Sequence, residues 1–220
     1  MHLAITNILP RDRLTALQSL LAEPDIFIAG DSTAGSAAAA VKHNQQAAPQ
    51  HPEVKGALQL IEQLLARHSV FQAAARPARF ARLQFSRYGV GMAYGLHNDG
   101  ALIDGVRTDL SFTLFLSAPD SYDGGALLLH DAAGVESVKL AAGDLILYPS
   151  GCLHEVNRVT RGVRLAVVGW LQSRIRRADQ RELLFNLDSV LSQLPESNDN
   201  TDCRLRLQQV RGGLLRMWLD

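Results

Sequence analysis

Residues 79–171 contain short apolar runs of four to eight residues, separated by glycine, proline, aspartate and serine. Apolar runs of this length are typical of β-strands, and turn-forming residues at regular intervals are typical of antiparallel sheets. The runs lie at 110–116, 126–129, 135–140, 145–148 and 164–171. This part of the chain is therefore predicted to fold as an antiparallel sandwich or barrel.

The segment 81–88 shows the alternation of a strand most clearly, because every second side chain points to the same face. One face is apolar and the other is mainly polar: Ala81, Leu83 and Phe85 against Arg82, Gln84, Ser86 and Tyr88. The glycines within 123–125 and 142–144 are predicted to form hairpin turns, because glycine adopts positive φ at low cost.

Helical patterns flank this region. Leucines at helical spacing in 10–23 and an apolar stripe in 54–66 predict two N-terminal helices. Residues 30–50 lack periodicity and are interpreted either as a loop or lid beside the active site or as an ordinary surface loop. Beyond residue 173, the leucine spacing predicts a helix over 183–194 and a further helix interrupted at Gly212 and Gly213. The expected division is 1–78 for N-terminal helices and loop, 79–172 for the β core, and 173–220 for a C-terminal helical extension.

The composition is that of an ordinary soluble globular protein, with 47% apolar and 20% charged residues. Twenty-two basic and 22 acidic side chains balance, so neither a nucleic acid nor a membrane held by long-range electrostatics is an expected partner. No stretch approaches the roughly 20 apolar residues of a spanning helix. Two cysteines, Cys152 and Cys203, are too few to staple a fold of this size. A cytoplasmic location is expected.

The pair His97 and Asp99 predicts a metal site. Residues two apart on an extended strand point to the same side, so both side chains can reach one ion. His154 follows 55 residues after Asp99 (154 − 99). Two imidazoles and one carboxylate can occupy one face of an Fe(II) octahedron and leave the other positions open for an organic ligand and O2. Cys152 is a less suitable extra ligand, because it would occupy a position that such ligands need.

Ten residues after His154, Arg164 lies within the apolar run 163–170. An unpaired charge in apolar surroundings is costly, so an anionic partner is expected. A guanidinium presents a planar fork that matches a carboxylate, which makes Arg164 a candidate anchor for an acidic ligand.

The spacing Tyr88-x-x-Gly91-x-x-Tyr94-x-x-His97-x-Asp99 resembles the metal-binding motif of prolyl-4-hydroxylase-type Fe(II)/2-oxoglutarate dioxygenases. Further segments are similar, in order and spacing, to the bacterial PKHD-type hydroxylases, the PiuC/YbiX group; they are 41–46, 107–117, 122–127, 143–150, 160–164 and 172–176. The resemblance covers nearly the whole chain. It implies a mainly β fold with flanking α-helices, built on the double-stranded β-helix, the cupin-like jelly-roll.

The resemblance also implies residue roles. His97, Asp99 and His154 would bind Fe(II), and Arg164 would bind the distal carboxylate of 2-oxoglutarate. Tyr88 would either assist Arg164 or be a buried tyrosine satisfied by backbone. The reaction would couple the oxidative decarboxylation of 2-oxoglutarate by O2, giving succinate, to the hydroxylation of a substrate, with L-ascorbate as reductant for oxidised iron.

Two other functions stay open at this point: a cupin-fold metal-dependent enzyme and an iron-binding module, neither using 2-oxoglutarate. Arg164 favours the dioxygenase, because neither alternative requires a cation there. The substrate is expected to be either a siderophore-like small molecule linked to iron uptake or a prolyl or lysyl side chain of a peptide. Asn44 and Gln45 are interpreted as substrate contacts or as exposed amides. The C-terminal helices, with Trp218 as an anchor, would also suit a homodimer contact.

Overall fold

A computed structural model of the chain describes residues 1–30, 41–195 and 200–219. Within these ranges the strands are β1 (Leu3–Ile5), β2 (Phe27–Ala29), β3 (Lys42–His43), β4 (Gln45–Ala47), β5 (Pro77–Tyr88), β6 (Ala93–His97), β7 (Leu102–Ile103), β8 (Val106–Arg107), β9 (Leu110–Phe115), β10 (Leu127–Asp131), β11 (Gly134–Val138), β12 (Leu145–Pro149), β13 (Leu153–Val156) and β14 (Arg164–Ser173). All five predicted apolar runs are strands, and the alternating segment 81–88 lies within β5.

The α-helices of the described ranges are α1 (Arg11–Leu20), α2 (Pro52–Arg67), α3 (Ser69–Ala75), α4 (Ala178–Gln193) and α5 (Thr201–Trp218). The prolines at the start of α1 and α2 suit a helix N-terminus, where a backbone N–H has no helical partner. The helices predicted in 10–23, 54–66 and 183–194 are thus confirmed, whereas α3 was not predicted. Within the described ranges, no helix combines the length and the apolar character needed to cross a membrane.

The strands form two antiparallel sheets. The larger sheet has the order β1-β12-β9-β14-β5-β4-β2, and the smaller has the order β11-β10-β13-β6-β3. β7 and β8 pair separately as a short hairpin. The fold is a jelly-roll with flanking helices, as the resemblance implied.

Strands of the larger sheet send alternate side chains into two different layers. Phe85 and Phe112 face the helices, where they join one core with Ile61 and Leu65 of α2. Residues of opposite parity lie between the two sheets in a second core; they include Tyr88, Phe115, Ile146 and Tyr148, together with Leu127, Leu129 and Val156 of the smaller sheet. The polar face of β5 therefore lies inside the jelly-roll, where it lines a cavity.

The predicted hairpins at 123–125 and 142–144 are wrong, although the glycines were identified correctly. Gly124, Gly125 and Gly143 have φ of 68°, 63° and 97°. The segment around 123–125 connects β9 to β10 and that around 142–144 connects β11 to β12, so each crosses from one sheet to the other. A sequence of strands and turns shows that the chain reverses, but not which sheet the next strand joins.

Two other local predictions need correction. The interval 30–50 is not all loop, because it contains β3 and β4; its residues 31–40 lie outside the described ones. The helix predicted to break at Gly212 and Gly213 runs through both glycines as α5. Glycine costs about 1 kcal/mol relative to alanine in a helix interior, which tertiary contacts can offset. α5 packs on α4, and Asp188 of α4 accepts hydrogen bonds from Arg76 and Arg211, each at 2.5 Å.

Candidate metal and cosubstrate site

The three predicted metal ligands lie together at one end of the smaller sheet. His97 ends β6, and it is paired in register with His154 of the neighbouring β13. Asp99 follows two residues after β6, and its backbone N–H donates to the carbonyl of Ser150 at 3.2 Å. One ligand atom from each of His97, Asp99 and His154 lies within 4.8 Å of the others. The three side chains could hold a metal ion.

Backbone carbonyls orient both imidazoles. The Nδ1 of His97 is 2.8 Å from the carbonyl oxygen of Gly95, and the Nδ1 of His154 is 3.0 Å from that of Cys152. A carbonyl oxygen can only accept, so Nδ1 carries the hydrogen in each ring. The Nε2 lone pairs are therefore available to an ion.

The surroundings of His97 keep its ring neutral. Burial, and after it the neighbouring His154, lower the pKa of His97 to about 4, although the Gly95 carbonyl and Asp99 oppose the shift. Tyr94 stacks on the ring with a centroid distance of 3.7 Å and an interplanar angle of 17°. A neutral imidazole is the form that binds a metal ion.

Asp99 is held from the side of the larger sheet. Its Oδ2 accepts a 2.6 Å hydrogen bond from the hydroxyl of Ser111 in β9, which is itself 2.8 Å from the hydroxyl of Ser150. The same Oδ2 is 3.8 Å from the Nε2 of His154. Adjacent donors on one ion at about 2.1 Å lie roughly 3 Å apart, so a small inward movement would complete the site. Two imidazoles and one carboxylate are a donor set that suits Fe(II).

Arg164, at the start of β14, is a buried cation, and no residue within the described ranges gives it an anionic partner. Its side chain is 1% exposed, and its guanidinium lies beside the hydroxyl of Tyr122 but has no carboxylate partner among the described residues. The guanidinium carbon lies 5.1 Å from the ring centre of Tyr88 and 5.5 Å from that of Phe115. Aromatic faces favour a cation but leave its N–H donors unsatisfied. A carboxylate would fit here, because it supplies both the charge and the acceptors.

Tyr88 packs beside Arg164, across the register of β5 and β14. Burial raises the pKa of the Tyr88 hydroxyl, and the charge of Arg164 and the side chain of Asn44 oppose that shift. Asn44 is buried and lines the cavity, whereas Gln45 accepts a hydrogen bond from Arg87. Of the two amides considered from the sequence, Asn44 is the one inside the jelly-roll.

The metal triad and Arg164 line one cavity of about 540 Å³. Other parts of its wall come from Arg82 and Trp170 of the larger sheet and from Leu102 and Asp104 of the β7–β8 hairpin. Arg82 donates two hydrogen bonds to Asp104, Nε to Oδ2 at 2.9 Å and Nη2 to Oδ1 at 2.5 Å.

Sequence reasoning missed Ser111, Ser150 and the hairpin, although two signals were present. Ser111 has the same parity in β9 as Thr113, which lines the cavity, and Phe115, which belongs to the core between the sheets. Asp104-Gly105 is the dipeptide preferred in a two-residue hairpin turn, and both residues have the positive φ that this turn requires, 50° and 73°.

Cys152 and Asp109 do not belong to the metal triad and have other partners in the fold. The sulfur of Cys152 is 3.7 Å from the Nε2 of His2 and donates to the carbonyl of His130 at 3.4 Å. Asp109 pairs with Arg107, Oδ1 to Nε at 2.9 Å.

Comparison with known proteins agrees with this geometry. Residues 83–172 match the family model of the 2OG-Fe(II) oxygenase superfamily. A PKHD-type hydroxylase of Parvibaculum lavamentivorans is 46% identical over 220 residues, covering 99% of each chain. A prolyl-4-hydroxylase structure from Pseudomonas putida superposes with a TM-score of 0.54 at 23% identity, covering 79% of this chain and 92% of that one. HygX from Streptomyces hygroscopicus, solved with nickel and 2-oxoglutarate bound, gives 0.51 at 15% identity, covering 78% and 81%. The chain belongs to the PKHD-type hydroxylases, Fe(II)- and 2-oxoglutarate-dependent dioxygenases of the 2OG-Fe(II) oxygenase superfamily.

Proposed function

We propose that His97, Asp99 and His154 hold Fe(II), that Arg164 holds the distal carboxylate of 2-oxoglutarate, and that the chain hydroxylates a C–H bond of a small molecule or a peptide side chain. The observation that carries this proposal is the buried guanidinium of Arg164, which has no anionic partner among the described residues and lies on the wall of the cavity that holds the triad. A buried charge of this kind is expected where a ligand supplies the counter-charge.

Iron and 2-oxoglutarate, once bound, supply the oxidative chemistry that yields succinate, CO2 and a hydroxylated product. The protein's residues bind and orient. Gly95 and Cys152 fix the hydrogens on the two imidazoles, and Ser111 holds the carboxylate of Asp99. Arg164 and the ring of Tyr88 define where the far end of the cosubstrate lies. A direct hydrogen bond from Tyr88 to the cosubstrate stays a prediction.

The alternatives without 2-oxoglutarate are less compatible with the site. A metal-dependent cupin enzyme or an iron-binding module requires the triad but gives no reason for Arg164. The solved structure of HygX contains nickel and 2-oxoglutarate on the same fold, which supports the proposed pairing of metal and cosubstrate here.

We also propose a substrate class, a cellular location and an oligomeric state. A cavity of about 540 Å³ can admit a small molecule or one side chain of a peptide. The link to siderophores and the use of L-ascorbate stay predictions from the resemblance. A cytoplasmic location is supported by Cys152 and Cys203, both free thiols. Exposed apolar side chains on α5, Leu205, Val210 and Met217, support a homodimer through the C-terminal helices.

The test is an anaerobic titration of the Fe(II)-loaded protein with 2-oxoglutarate, followed by the visible charge-transfer band of the chelate. Arg164→Ala should weaken 2-oxoglutarate binding by about 30-fold or more, since removing one partner of a buried charge pair costs about 2–5 kcal/mol. Arg82→Ala is the matched control, because Arg82 lines the same cavity but already has an anionic partner. Equal affinity in wild type and Arg164→Ala would overturn the assignment of the anchor. Absence of the band from the wild type would overturn the proposed function.

A further inference from the structure

The segment between β9 and β10 places a tyrosine behind Arg164. Tyr122 is fully buried, and among the described residues Arg164 lines the cavity whereas Tyr122 does not. The hydroxyl of Tyr122 lies beside the guanidinium; burial raises the pKa of this hydroxyl, and the charge of Arg164 opposes that shift. A guanidinium can only donate, so the tyrosine oxygen is the acceptor between these two groups. Tyr122 therefore meets Arg164 on the side away from the cavity.

The surroundings of Tyr122 hold its ring in place. Gly125 has a φ of 63°, and a Cβ at this position would lie 3.0 Å from Cε2 of Tyr122 and 3.2 Å from Cδ of Arg164. Both distances are shorter than the spacing of about 3.5–4.0 Å at which carbon atoms pack. Glycine thus allows the tyrosine ring and the arginine stem to approach each other. Lys139 also holds Tyr122, because its Nζ lies 3.9 Å from the ring centre and donates to the Tyr122 carbonyl at 2.7 Å.

The other aromatic neighbours of Arg164 do not fix the rotation of the guanidinium. The ring centres of Tyr88 and Phe115 lie 5.1 and 5.5 Å from its central carbon. Attraction to a ring face acts on the whole cation, so it does not select which nitrogens point into the cavity. A carboxylate, in contrast, requires two parallel N–H donors on one edge of the guanidinium. Recognition of a carboxylate therefore needs a further contact that sets this edge.

We propose that Tyr122 is a positioning residue that turns the two-donor edge of the Arg164 guanidinium towards the cavity. Its hydroxyl oxygen takes an N–H on the far side and leaves the opposite edge for the ligand. This inference rests on the proposed function, in which Arg164 binds the distal carboxylate of 2-oxoglutarate. A guanidinium that is oriented before the ligand arrives binds more tightly, because less freedom is lost on binding.

The first test separates the affinity for the cosubstrate from the affinity for the metal. Tyr122→Phe removes only the hydroxyl, and the dissociation constant of 2-oxoglutarate on the Fe(II)-loaded protein should rise about tenfold, the order of one hydrogen bond to a charged group. The dissociation constant of Fe(II), measured anaerobically without cosubstrate, should stay the same. Ser173→Ala is the control, because it removes another buried hydroxyl, which donates to the carbonyl of Ala75 at 2.8 Å, from the far end of β14. It should change neither constant.

The second test distinguishes positioning from general loosening of the fold. In an Arg164→Lys background, Tyr122→Phe should have no further effect on 2-oxoglutarate affinity, because an ammonium has no planar edge to orient. The same tenfold loss in that background would overturn the inference, and so would an unchanged affinity of Tyr122→Phe. The wild type is measured beside the variants, and its own failure to bind 2-oxoglutarate would instead overturn the proposed function.

Discussion

Two arginines line the same cavity but differ in their exposure to solvent and in their ion pairing. Arg164 is 1% exposed and contacts aromatic rings, and no carboxylate among the residues that the structure describes pairs with its guanidinium. Arg82 has a side chain that is 35% exposed and is paired with Asp104 through two hydrogen bonds. One cation is buried and uncompensated, and the other is partly solvated and neutralised.

The difference shows how to separate a ligand anchor from a structural ion pair. A surface pair such as Arg82 and Asp104 contributes little to stability and needs no further partner. A buried charge without a counter-ion destabilises the ligand-free fold, so Arg164 is locally inconsistent with good packing. Inconsistencies of this kind are expected at functional sites, where a ligand completes the interactions.

The largest effect that would test this comparison is expected from Arg164→Met. Methionine fills a similar space without the charge, so the free energy of unfolding of the metal-free protein should rise by about 1–3 kcal/mol. The same variant should lose the stabilisation that 2-oxoglutarate gives the Fe(II)-loaded wild type, about 2.7 kcal/mol at 100 times the dissociation constant. Thermal unfolding with and without metal and cosubstrate measures both changes.

Arg82→Met is the control for that experiment. Its metal-free stability should change by less than about 1 kcal/mol, and its response to 2-oxoglutarate should remain. If Arg164→Met were less stable than wild type in the absence of ligands, Arg164 would already be compensated in the folded chain, and the contrast between the two arginines would disappear.

A smaller effect is expected from pH, through His97 of the triad. The pKa of His97 is about 4 in the folded protein, below its ordinary value of 6.5. Between pH 6.5 and 4 the unfolded chain therefore binds a proton that the folded, metal-free protein does not. Stability should fall as the pH falls through this window. Chemical denaturation at pH 7 and pH 5 measures the loss, and in His97→Gln the part due to this ring should vanish. An identical pH dependence in wild type and variant would contradict the assignment.

The sequence predicts those parts of the cavity that depend on neighbouring residues better than those that depend on residues far apart in the chain. Alternation in β5 placed Arg82 and Tyr88 on the same face, because that pattern is local. The shared face of His97 and Asp99 followed from the same rule. The register that brings His154 beside His97 depends on pairing between distant strands, and only the resemblance to a known family indicated it.

The sequence did not predict side-chain contacts between different strands. The hydrogen bonds from Ser111 to Asp99 and from Arg82 to Asp104 join residues 12 and 22 positions apart, across different strands. The dipeptide Asp104-Gly105 predicts a hairpin turn, but it does not predict which side chain contacts the hairpin. That no described carboxylate pairs with Arg164 is likewise a property of the folded cavity, since the sequence shows only an arginine in an apolar run.

The smallest effect is expected at the ion pair of Arg82 and Asp104, in a double-mutant cycle of Arg82→Ala and Asp104→Asn. Asparagine is chosen because residue 104 has a φ of 50°, which asparagine tolerates better than alanine. Hydrogen bonds from Arg82 lower the pKa of Asp104, yet both side chains are substantially exposed. The coupling free energy should therefore lie between about 0.2 and 1 kcal/mol, as for other solvated ion pairs. Two results would show that the Arg82–Asp104 pair and Arg164 act as one site. One is a coupling free energy above about 2 kcal/mol, and the other is a loss of 2-oxoglutarate affinity in Arg82→Ala as large as in Arg164→Ala.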